Sequence, residues 1–252
     1  MVRFIKKIVS SFFSSQPKLY TIPFGPIKGM KLFTTFQISP RMLFGFDETW
    51  VSHLAKHYIK EGDVVYDIGA HIGYTSILFS KLVGKQGQVY AFELLPSVAK
   101  NYLEKTVNAN QLTNIKAHAI GLADKKDEID IYVGNTMMGT LTEEGYQSQL
   151  SEKCQIDTLD NYISTHQITP PRVIKIDVER AEIACLKGAV ETIKNFKPIL
   201  IIEFHNIDLV REGYQLLSEM GYQLSIKNGV IDEKYLFNLS TFYGNTLAIP
   251  KI

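Results

Sequence analysis

The chain of 252 residues lacks the sequence features of several large classes of protein. It contains only two cysteines, Cys154 and Cys185, which are too far apart for a disulfide framework or a paired-cysteine metal site. The net charge is only +1, so no overall electrostatic field favours a nucleic acid or an acidic membrane. We therefore expect a cytoplasmic protein that does not bind nucleic acid.

The first sixteen residues are amphipathic but lack a run long enough to cross a membrane. Arg3, Lys6 and Lys7 are interleaved with apolar residues in the spacing of an amphipathic helix, and serines interrupt the apolar run. A transmembrane helix needs about 20 apolar residues, and the segment is also a poor secretory signal. Two interpretations of residues 1–16 stay open: the helix packs on the domain, or it lies on a membrane surface or a partner, so that the protein is membrane-associated.

Short β-rich segments alternate with helical patterns, which predicts βαβ units around a parallel sheet. A hydrophobic content of 45% and a charged content of 21% are ordinary for a folded globular chain. The predicted strands are Val64–Ile68, Gln88–Phe92, Asn114–Ala119, Glu128–Val133, Arg172–Ile176, Ile199–Phe204, Tyr222–Ile226 and Asn245–Ile249. The predicted helices are Glu48–Lys60, Tyr74–Val83, Pro96–Asn108, a helix capped by Asp157 that ends at Ile163, Ala181–Asn195 and Leu209–Met220.

Two segments have no clear period. Ser15–Phe36 is rich in proline and glycine and is predicted to form an irregular or hairpin-like flap. Gly134–Glu144 is a candidate loop or lid, in which two methionines could form an adaptable apolar cover. We expect an N-terminal helix and flap over residues 1–44 and one α/β domain over residues 45–252.

The strand Val64–Ile68 leads into a glycine turn and then a helix, with the sequence D-I-G-A-H-I-G at 67–73. Ligands of open α/β sheets bind where strands end at the carboxyl edge. Gly69 permits a turn that a Cβ would obstruct, and Gly73 lets the helix lie close to the strand. Exposed amides at the start of the helix would favour a carboxylate or another anion.

The type of cofactor follows from what this turn lacks. A dinucleotide fingerprint requires glycine where His71 stands, and no P-loop pattern follows a strand. Glu93 ends the second strand 24 residues after Gly69, where a carboxylate can accept hydrogen bonds from both ribose hydroxyls. In the alternative interpretation, Glu93 is only an acidic group that interacts favourably with the start of the helix that begins at Pro96. S-adenosyl-L-methionine has a ribose and an amino-acid end but no phosphate, so it fits both features.

Five motifs together make the chain resemble the FkbM family of S-adenosylmethionine-dependent methyltransferases. They are D-I-G-A-H-I-G at 67–73, Y-A-F-E-L-L-P at 90–96, K-I-D-V-E-x-A-E at 175–182, I-I-E-F-H at 201–205 and N-T-L-A-I-P at 245–250. The resemblance covers roughly residues 45–250. It implies an α/β class I methyltransferase fold, a Rossmann-like, doubly wound and mostly parallel sheet of seven strands with the last one antiparallel. Arg180 departs from the family, which typically has glycine there, and we expect this change to affect the acceptor pocket.

The resemblance also implies the residues that bind the cofactor. Asp177 would lie beside the methionine portion, and Glu48, in G-F-D-E, would meet the ammonium group unless it only caps the following helix. The adenine would lie near Ala119–Gly121. The other implied cofactor residues are Asp67, Gly69, Ala70, Gly73, Glu93 and Leu94.

A hydroxyl acceptor must lose its proton as the bond to the methyl group forms. The acidic and imidazole candidates at the same sheet edge are Asp177, Glu179, Glu182, Glu203 and His205. We favour His205 or Asp177 as the base, since an unperturbed histidine pKa of about 6.5 lies close to working pH. His205 could instead be a hydrogen-bonded turn residue, and Glu179 and Glu182 could pair with Arg180, Lys175 or Lys187. No compact cluster indicates a metal, so none is expected.

The expected reaction is methylation of a hydroxyl on a sugar, glycan, lipid-linked or secondary-metabolite acceptor. Two alternatives stay open, an N-methyltransferase of a small molecule or protein and a non-catalytic S-adenosylmethionine-binding module. His71 disfavours a nicotinamide dehydrogenase. The sequence does not indicate an oligomeric state.

Overall fold

The computed structural model describes residues 16–36, 40–133, 139–140 and 151–251. Residues 1–15 of the predicted N-terminal helix and most of the predicted lid lie outside this part of the chain. The strands are β1 Lys18–Thr21, β2 Lys31–Thr34, β3 Val64–Ile68, β4 Gln88–Glu93, β5 Ile115–Ala119, β6 Gly121–Leu122, β7 Asp127–Val133, β8 Gly139–Thr140, β9 Ser151–Asp157, β10 Val173–Ile176, β11 Ile199–Phe204, β12 Tyr222–Ile226, β13 Gly229–Ile231 and β14 Gly244–Pro250.

The main sheet has eight strands in the order β13-β12-β14-β11-β10-β3-β4-β5. The five strands from β11 to β5 are parallel to one another. Strand β14 is antiparallel to both β11 and β12, as predicted for the last strand. The sheet therefore contains the seven predicted strands of a class I methyltransferase fold, and β13 adds an eighth strand as a hairpin with β12.

Each strand in the centre of this sheet is buried on both faces. In β3, Val65 packs into one hydrophobic cluster, whereas Tyr66 and Ile68 pack into another on the opposite face. The apolar character of these central strands follows from their burial, because a parallel sheet has helices on both sides. The carboxyl ends of the parallel strands consequently meet at one edge, where the chain leaves the sheet and side chains can reach a ligand.

The predicted helices appear in the predicted order. The described helices are α1 Pro40–Phe44, α2 Thr49–Tyr58, α3 Tyr74–Val83, α4 Pro96–Val98, a π-helical turn Ala99–Leu103, α5 Glu104–Ala109, α6 Leu159–His166, α7 Glu182–Lys187, α8 Val190–Phe196, α9 Ile207–Glu219 and α10 Glu233–Phe237. Helices α1 and α10 are additional, and the predicted helix 96–108 is divided into three pieces. The predicted helix 181–195 is broken between α7 and α8, where Gly188 lies so close to the chain that a Cβ would be 1.9 Å from the carbonyl oxygen of Ala123.

The predicted cap of α6 at Asp157 was wrong. Asp157 is the last residue of β9, and Thr158 caps the helix because its Oγ1 accepts a hydrogen bond from the amide of Asn161 at 3.1 Å. The Asp157 carboxylate instead accepts hydrogen bonds from the amide of Thr158 and the side chain of Asn161.

The predicted strand at 128–133 belongs to a second sheet with the order β6-β9-β7-β8, in which β9 was not predicted at all. Cys154 of β9 is buried with Leu95 and Val98, next to the end of β4. The Glu152 carboxylate also accepts hydrogen bonds from the amide and hydroxyl of Ser97, both at 2.6 Å. This small sheet is therefore anchored on the segment that follows β4.

The predicted flap is an antiparallel hairpin of β1 and β2. The amide of Lys31 donates to Asn110 at 2.8 Å, and the amide of Phe33 donates to Thr106 at 3.0 Å, so the hairpin is fastened to α5. Ile22 and Leu32 of this region belong to the same hydrophobic cluster as Val65 of the main sheet. Among the helices that the structure describes, none combines the length and apolarity needed to cross a bilayer.

Candidate active site

Four parallel strands bring the predicted site residues to one edge of the sheet. Gly69 follows β3, Glu93 ends β4, Asp177 follows β10 and His205 follows β11. A cleft opens at this edge beside the glycine turn. It is lined by Met42, Glu48, Gly69, Ala70, His71, Ile72, Tyr74, Thr75, Lys175 and Asp177.

Both glycines of the turn have left-handed backbones, with φ of 79° at Gly69 and 93° at Gly73. A Cβ on Gly69 would lie 1.8 Å from the carbonyl oxygen of Asp177, so this glycine is required where β3 and β10 leave the sheet together. A Cβ on Gly73 would lie 2.8 Å from Cδ1 of Leu103. The close neighbour of Gly73 is therefore the π-helical turn after β4, and not the strand as we had predicted.

The backbone amides of the turn are used inside the protein. The amides of Gly69 and Ala70 donate to the carbonyl of Phe92 at 2.9 Å, and that of Gly73 donates to Ala70. The amide of His71 donates to Oε2 of Glu93 at 2.8 Å. Three of these amides therefore fix the turn against β4, and that of Gly73 closes the turn itself. The exposed amides predicted at the start of α3 stay a prediction.

Glu93 is 8% exposed and is held in one orientation by two amides. Its Oε2 accepts from His71, and its Oε1 accepts from the amide of Leu95 at 3.0 Å. Burial raises the pKa of Glu93 to about 7, although the two backbone hydrogen bonds oppose this shift. Each carboxylate oxygen retains a second lone pair. The next residue, Leu94, lies against Gly121, because a Cβ on that glycine would be 2.5 Å from its Cδ1.

Asp67 is fully buried beneath the turn and does not line the cleft. Its Oδ2 accepts hydrogen bonds from the hydroxyls of Thr75 and Ser76 in the first turn of α3. Burial raises the pKa of Asp67, against the opposing effects of Lys175 and these hydroxyls. The structure therefore places this residue as a support for the start of α3, one layer below any ligand.

Lys175 was missed as a site residue. Its side chain is buried, with only 3% of the residue exposed. The ammonium group donates hydrogen bonds to the carbonyl of Gly69 and to Oδ2 of Asp177, both at 3.1 Å. It also lies 3.7 Å from Oδ1 of Asp67. Burial by itself lowers the pKa of a lysine, but the charges of Asp177, Asp67 and Glu48 outweigh it and raise the pKa of Lys175. The side chain is thus a buried cation that joins the ends of β3 and β10.

His205 lies between three carboxylates. Its Nδ1 is 2.6 Å from Oε1 of Glu182, and its Nε2 is 3.2 Å from Oε2 of Glu179 and 3.7 Å from Oδ1 of Asp177. Burial would lower the pKa of His205, but the hydrogen bond to Glu182 and the three negative charges raise it. The ring of Tyr243 stands edge-on to the imidazole at 5.3 Å.

The alternative pairing of Glu179 and Glu182 with Arg180, Lys175 or Lys187 is not observed, and both carboxylates lie beside His205 instead. Glu182 is fully buried and pairs with His205, while Lys187 pairs with Glu212. The Oε1 atom of Glu182 also accepts a hydrogen bond from the amide of Arg180 at 2.9 Å. This contact holds a tight turn in which Arg180 has a φ of 78°, a left-handed conformation that favours glycine.

Glu48 has a left-handed backbone at the start of α2 and makes no side-chain capping hydrogen bond. The alternative interpretation of Glu48 as a capping acid therefore has no support. Its carboxyl lines the cleft instead. Burial raises the pKa of Glu48 to about 7; Lys175 opposes this shift, and Asp177 and Glu203 add to it.

Two groups of side chains in the described part of the chain could hold a divalent cation, since their ligand atoms all lie within 4.8 Å of one another. The groups are Asp177, Glu179 and His205, and Glu48, Asp177 and Glu203. The order of the strands brings these residues together from distant parts of the sequence, so no compact sequence motif indicated either group. That the site works without a metal stays a prediction.

Fold and site together define a class I methyltransferase-like protein, with a glycine turn after β3 and an acidic residue at the end of β4. The Methyltransferase FkbM domain model matches residues 67–224, which is more than half of the chain. The chain belongs to this family. The predicted family and its cofactor, S-adenosyl-L-methionine, are thereby confirmed.

Individual relatives are more distant. Protein-L-isoaspartate O-methyltransferases of Methanococcus aeolicus and Fervidobacterium nodosum are 40% and 32% identical over 58 and 74 residues, 23% and 29% of this chain. These matches span only 26% and 35% of the relatives' own lengths. A crystal structure of methyltransferase FkbM from Methylobacillus flagellatus is 15% identical, with a TM-score of 0.47 over 85% of this chain and 53% of that one.

Gly69→Ala should destabilise the protein more than Gly221→Ala. The two glycines have similar φ values, 79° and 82°, but a Cβ on Gly221 would meet nothing within 4 Å. We expect the control to lose about 1–2 kcal/mol, the cost of a left-handed backbone, and Gly69→Ala to lose a further 1–3 kcal/mol or so from the clash with Asp177. Urea denaturation measures both, and equal losses would show that the close approach is unimportant.

Lys175→Met should lower the free energy of unfolding by about 3–5 kcal/mol, because it leaves buried carboxylates without their cation. The matched control is Lys187→Met, which removes an exposed pair with Glu212 and should cost less than about 1 kcal/mol. Chemical denaturation at pH 7 compares the two variants. A loss for Lys175→Met no greater than that of the control would contradict the supporting role of this cation.

Proposed function

We propose that the protein is an S-adenosyl-L-methionine-dependent methyltransferase that methylates a hydroxyl of a small-molecule or glycan acceptor. The observation that carries the proposal is the histidine–carboxylate pair of His205 and Glu182, which lies beside Asp177 at the edge of a cofactor cleft. A positioned base is what a hydroxyl acceptor needs and what a non-catalytic binding module does not. The names of the two curated relatives, both O-methyltransferases, add support for an oxygen acceptor.

The residues of the cleft fit the cofactor. Nε2 of His71 and the hydroxyl of Tyr74 are buried polar atoms of cleft-lining residues, and neither has a hydrogen-bond partner in the described structure. Buried polar atoms without partners are rare, and a polar ligand would provide them. Burial lowers the pKa of His71 to about 4, with Lys175 adding to the shift, so the imidazole is neutral at working pH. Glu48 and Asp177 would face the positively charged end of the ligand, and Glu93 would accept from the ribose.

When bound, S-adenosyl-L-methionine supplies a methyl group on a positively charged sulfur. The protein's own contribution is to align the acceptor and to remove its proton. Nδ1 of His205 is held by Glu182, so Nε2 is the ring nitrogen that faces the other acids of the site and is available for that proton. The negative charges of Glu182, Glu179 and Asp177 stabilise the imidazolium that forms. Asp177, which directly follows the buried strand β10, lies 3.7 Å from Nε2.

The choice among sugar, glycan, lipid-linked and secondary-metabolite hydroxyls, and the alternative of a nitrogen acceptor, is open to direct test. Purified protein is incubated with a cell extract and methyl-labelled cofactor, and the products are identified by mass spectrometry. Label on oxygen supports the proposal. Label only on nitrogen, or no transfer at all with intact cofactor binding, contradicts it.

S-adenosyl-L-methionine binding should strengthen as pH rises through about 7, the raised pKa of Glu93. Ribose hydroxyls donate to the ionised carboxylate, so binding lowers this pKa and releases a proton. Calorimetry between pH 6 and 8 in buffers of different ionisation enthalpy detects that proton. In Glu93→Gln we expect affinity to fall by about 1–3 kcal/mol and less proton to be released, since any remaining release would come from Glu48. Unchanged affinity in the variant would rule out the ribose assignment.

Glu182→Gln should lower the pKa of His205 by about one pH unit or more, because a hydrogen bond between charged groups is worth about 1.5–3 kcal/mol. NMR titration of the imidazole measures this, with the His205 signals assigned from the spectrum of His205→Gln. Wild-type His205 should titrate above the ordinary value of 6.5. Glu212→Gln, an exposed acid paired with Lys187, is the control. A midpoint that Glu182→Gln leaves in place would contradict the proposed pair.

A further inference from the structure

A second cavity lies beside the cofactor cleft and is not used by the cofactor residues. It is lined by Thr49, Trp50, His53 and Lys227. Thr49 is the first residue of α2 and directly follows Glu48, whose carboxyl lines the cofactor cleft. The two cavities therefore flank the start of the same helix.

The far wall of this cavity comes from the hairpin of β12 and β13. Strand β12 is antiparallel to β14, and β14 is antiparallel to β11, so β12 and β11 run in the same direction. The tip of the hairpin, which holds Lys227, is consequently at the same edge of the sheet as His205. Helix α2 also contacts β11. Topology thus places Lys227 at the same edge of the sheet as the proposed base, with β14 lying between β12 and β11.

The floor of the cavity is aromatic. The rings of Trp50 and His53 are stacked, with centroids 5.5 Å apart and planes at 11°. Trp50 is half-buried and His53 is exposed, so the stack presents ring surface to the solvent. The negative face of an aromatic ring attracts the weakly positive C–H groups of a sugar ring, and the hydroxyl of Thr49 can hydrogen-bond to sugar hydroxyls.

Charge along the two cavities is polarised. The cofactor end carries Glu48, Asp177 and Glu203 with the single buried cation Lys175, whereas the far end carries the exposed ammonium of Lys227. Among the described residues, Lys227 has no carboxylate within ion-pair distance. An acceptor with an anionic group would be attracted to Lys227 and repelled from the acids, which leaves its hydroxyl end for His205. Binding energy gained far from the reacting atom can position that atom.

We propose that Thr49, Trp50, His53 and Lys227 form a subsite for a sugar ring that bears an anionic group, either a carboxylate or a phosphate. The identification of this sugar as the methyl acceptor rests on the proposed function. The subsite itself does not, because sugar binding is measured without transfer.

Trp50 is the only tryptophan in the chain, so its fluorescence reports on this cavity directly. The 252-residue protein is titrated with glucuronic acid, glucose 6-phosphate and glucose, with and without S-adenosylhomocysteine. We expect at least one anionic sugar to bind about 10-fold or more tightly than glucose, equivalent to about 1.4 kcal/mol. The carboxylate and phosphate arms identify which anion the site prefers.

Lys227→Met should reduce the affinity for the anionic sugar to that for glucose, whereas Lys234→Met, which changes an exposed lysine in the following helix, should not. His53→Ala should weaken all three sugars, and equal thermal midpoints would show that the variants fold. Anionic sugars that bind no better than glucose, or a preference that survives Lys227→Met, would overturn the subsite. A protein that binds S-adenosyl-L-methionine but shows no such preference contradicts this inference alone, whereas loss of cofactor binding contradicts the proposed function.

Discussion

The buried ammonium group of Lys175 is the contact on which the site depends. It joins the carbonyl of Gly69 to the carboxylate of Asp177 and lies 3.7 Å from Asp67, so it links the residues that leave two neighbouring strands. Two acids next to each other would repel, and the cation between them offsets this repulsion. Gly69 completes this arrangement, since only a residue without a Cβ can lie against the carbonyl of Asp177.

Supporting and reacting groups lie on either side of that cation. On one side, Asp67 accepts hydrogen bonds from the first turn of α3 and fixes the glycine turn on which the cofactor would rest. On the other side, Asp177 reaches the imidazole of His205, which Glu182 orients from below. The donor and acceptor halves of the proposed reaction are therefore held by one connected set of charges. A substitution of Lys175 should therefore disturb both the glycine turn and the position of Asp177 beside His205.

Much of the fold could be predicted because buried strands in a parallel sheet are continuous apolar runs, as in Val64–Ile68 and Ile199–Phe204. Strand β9 was missed because it has only two apolar residues, Cys154 and Ile156, which is too short an alternation to indicate a strand. The sheet that β9 forms also lies outside the alternation of strands and helices that predicts the main sheet. Helix 181–195 was predicted as one piece because its break depends on contact of Gly188 with Ala123, far away in sequence.

Part of the site could also be predicted from local sequence. Gly69 and Glu93 belong to local patterns, and their positions at strand ends follow from the chain itself. The role of Glu182 depends on His205, which is 23 positions away and is brought to it only by the order of strands. Lys175 stands inside a buried strand, where a lysine without its two partners would be unfavourable, and the sequence does not show those partners meeting.

In the proposed complex, the cleft beside the glycine turn after β3 holds the amino-acid end of S-adenosyl-L-methionine, and Glu93 holds the ribose. A crystal structure of the protein with S-adenosylhomocysteine tests it most directly. We expect ribose hydroxyls within hydrogen-bond distance of the Glu93 carboxylate and the amino-acid end in the cleft beside Gly69, Glu48 and Asp177. A ligand bound elsewhere, or one whose ribose makes no contact with Glu93, would contradict it.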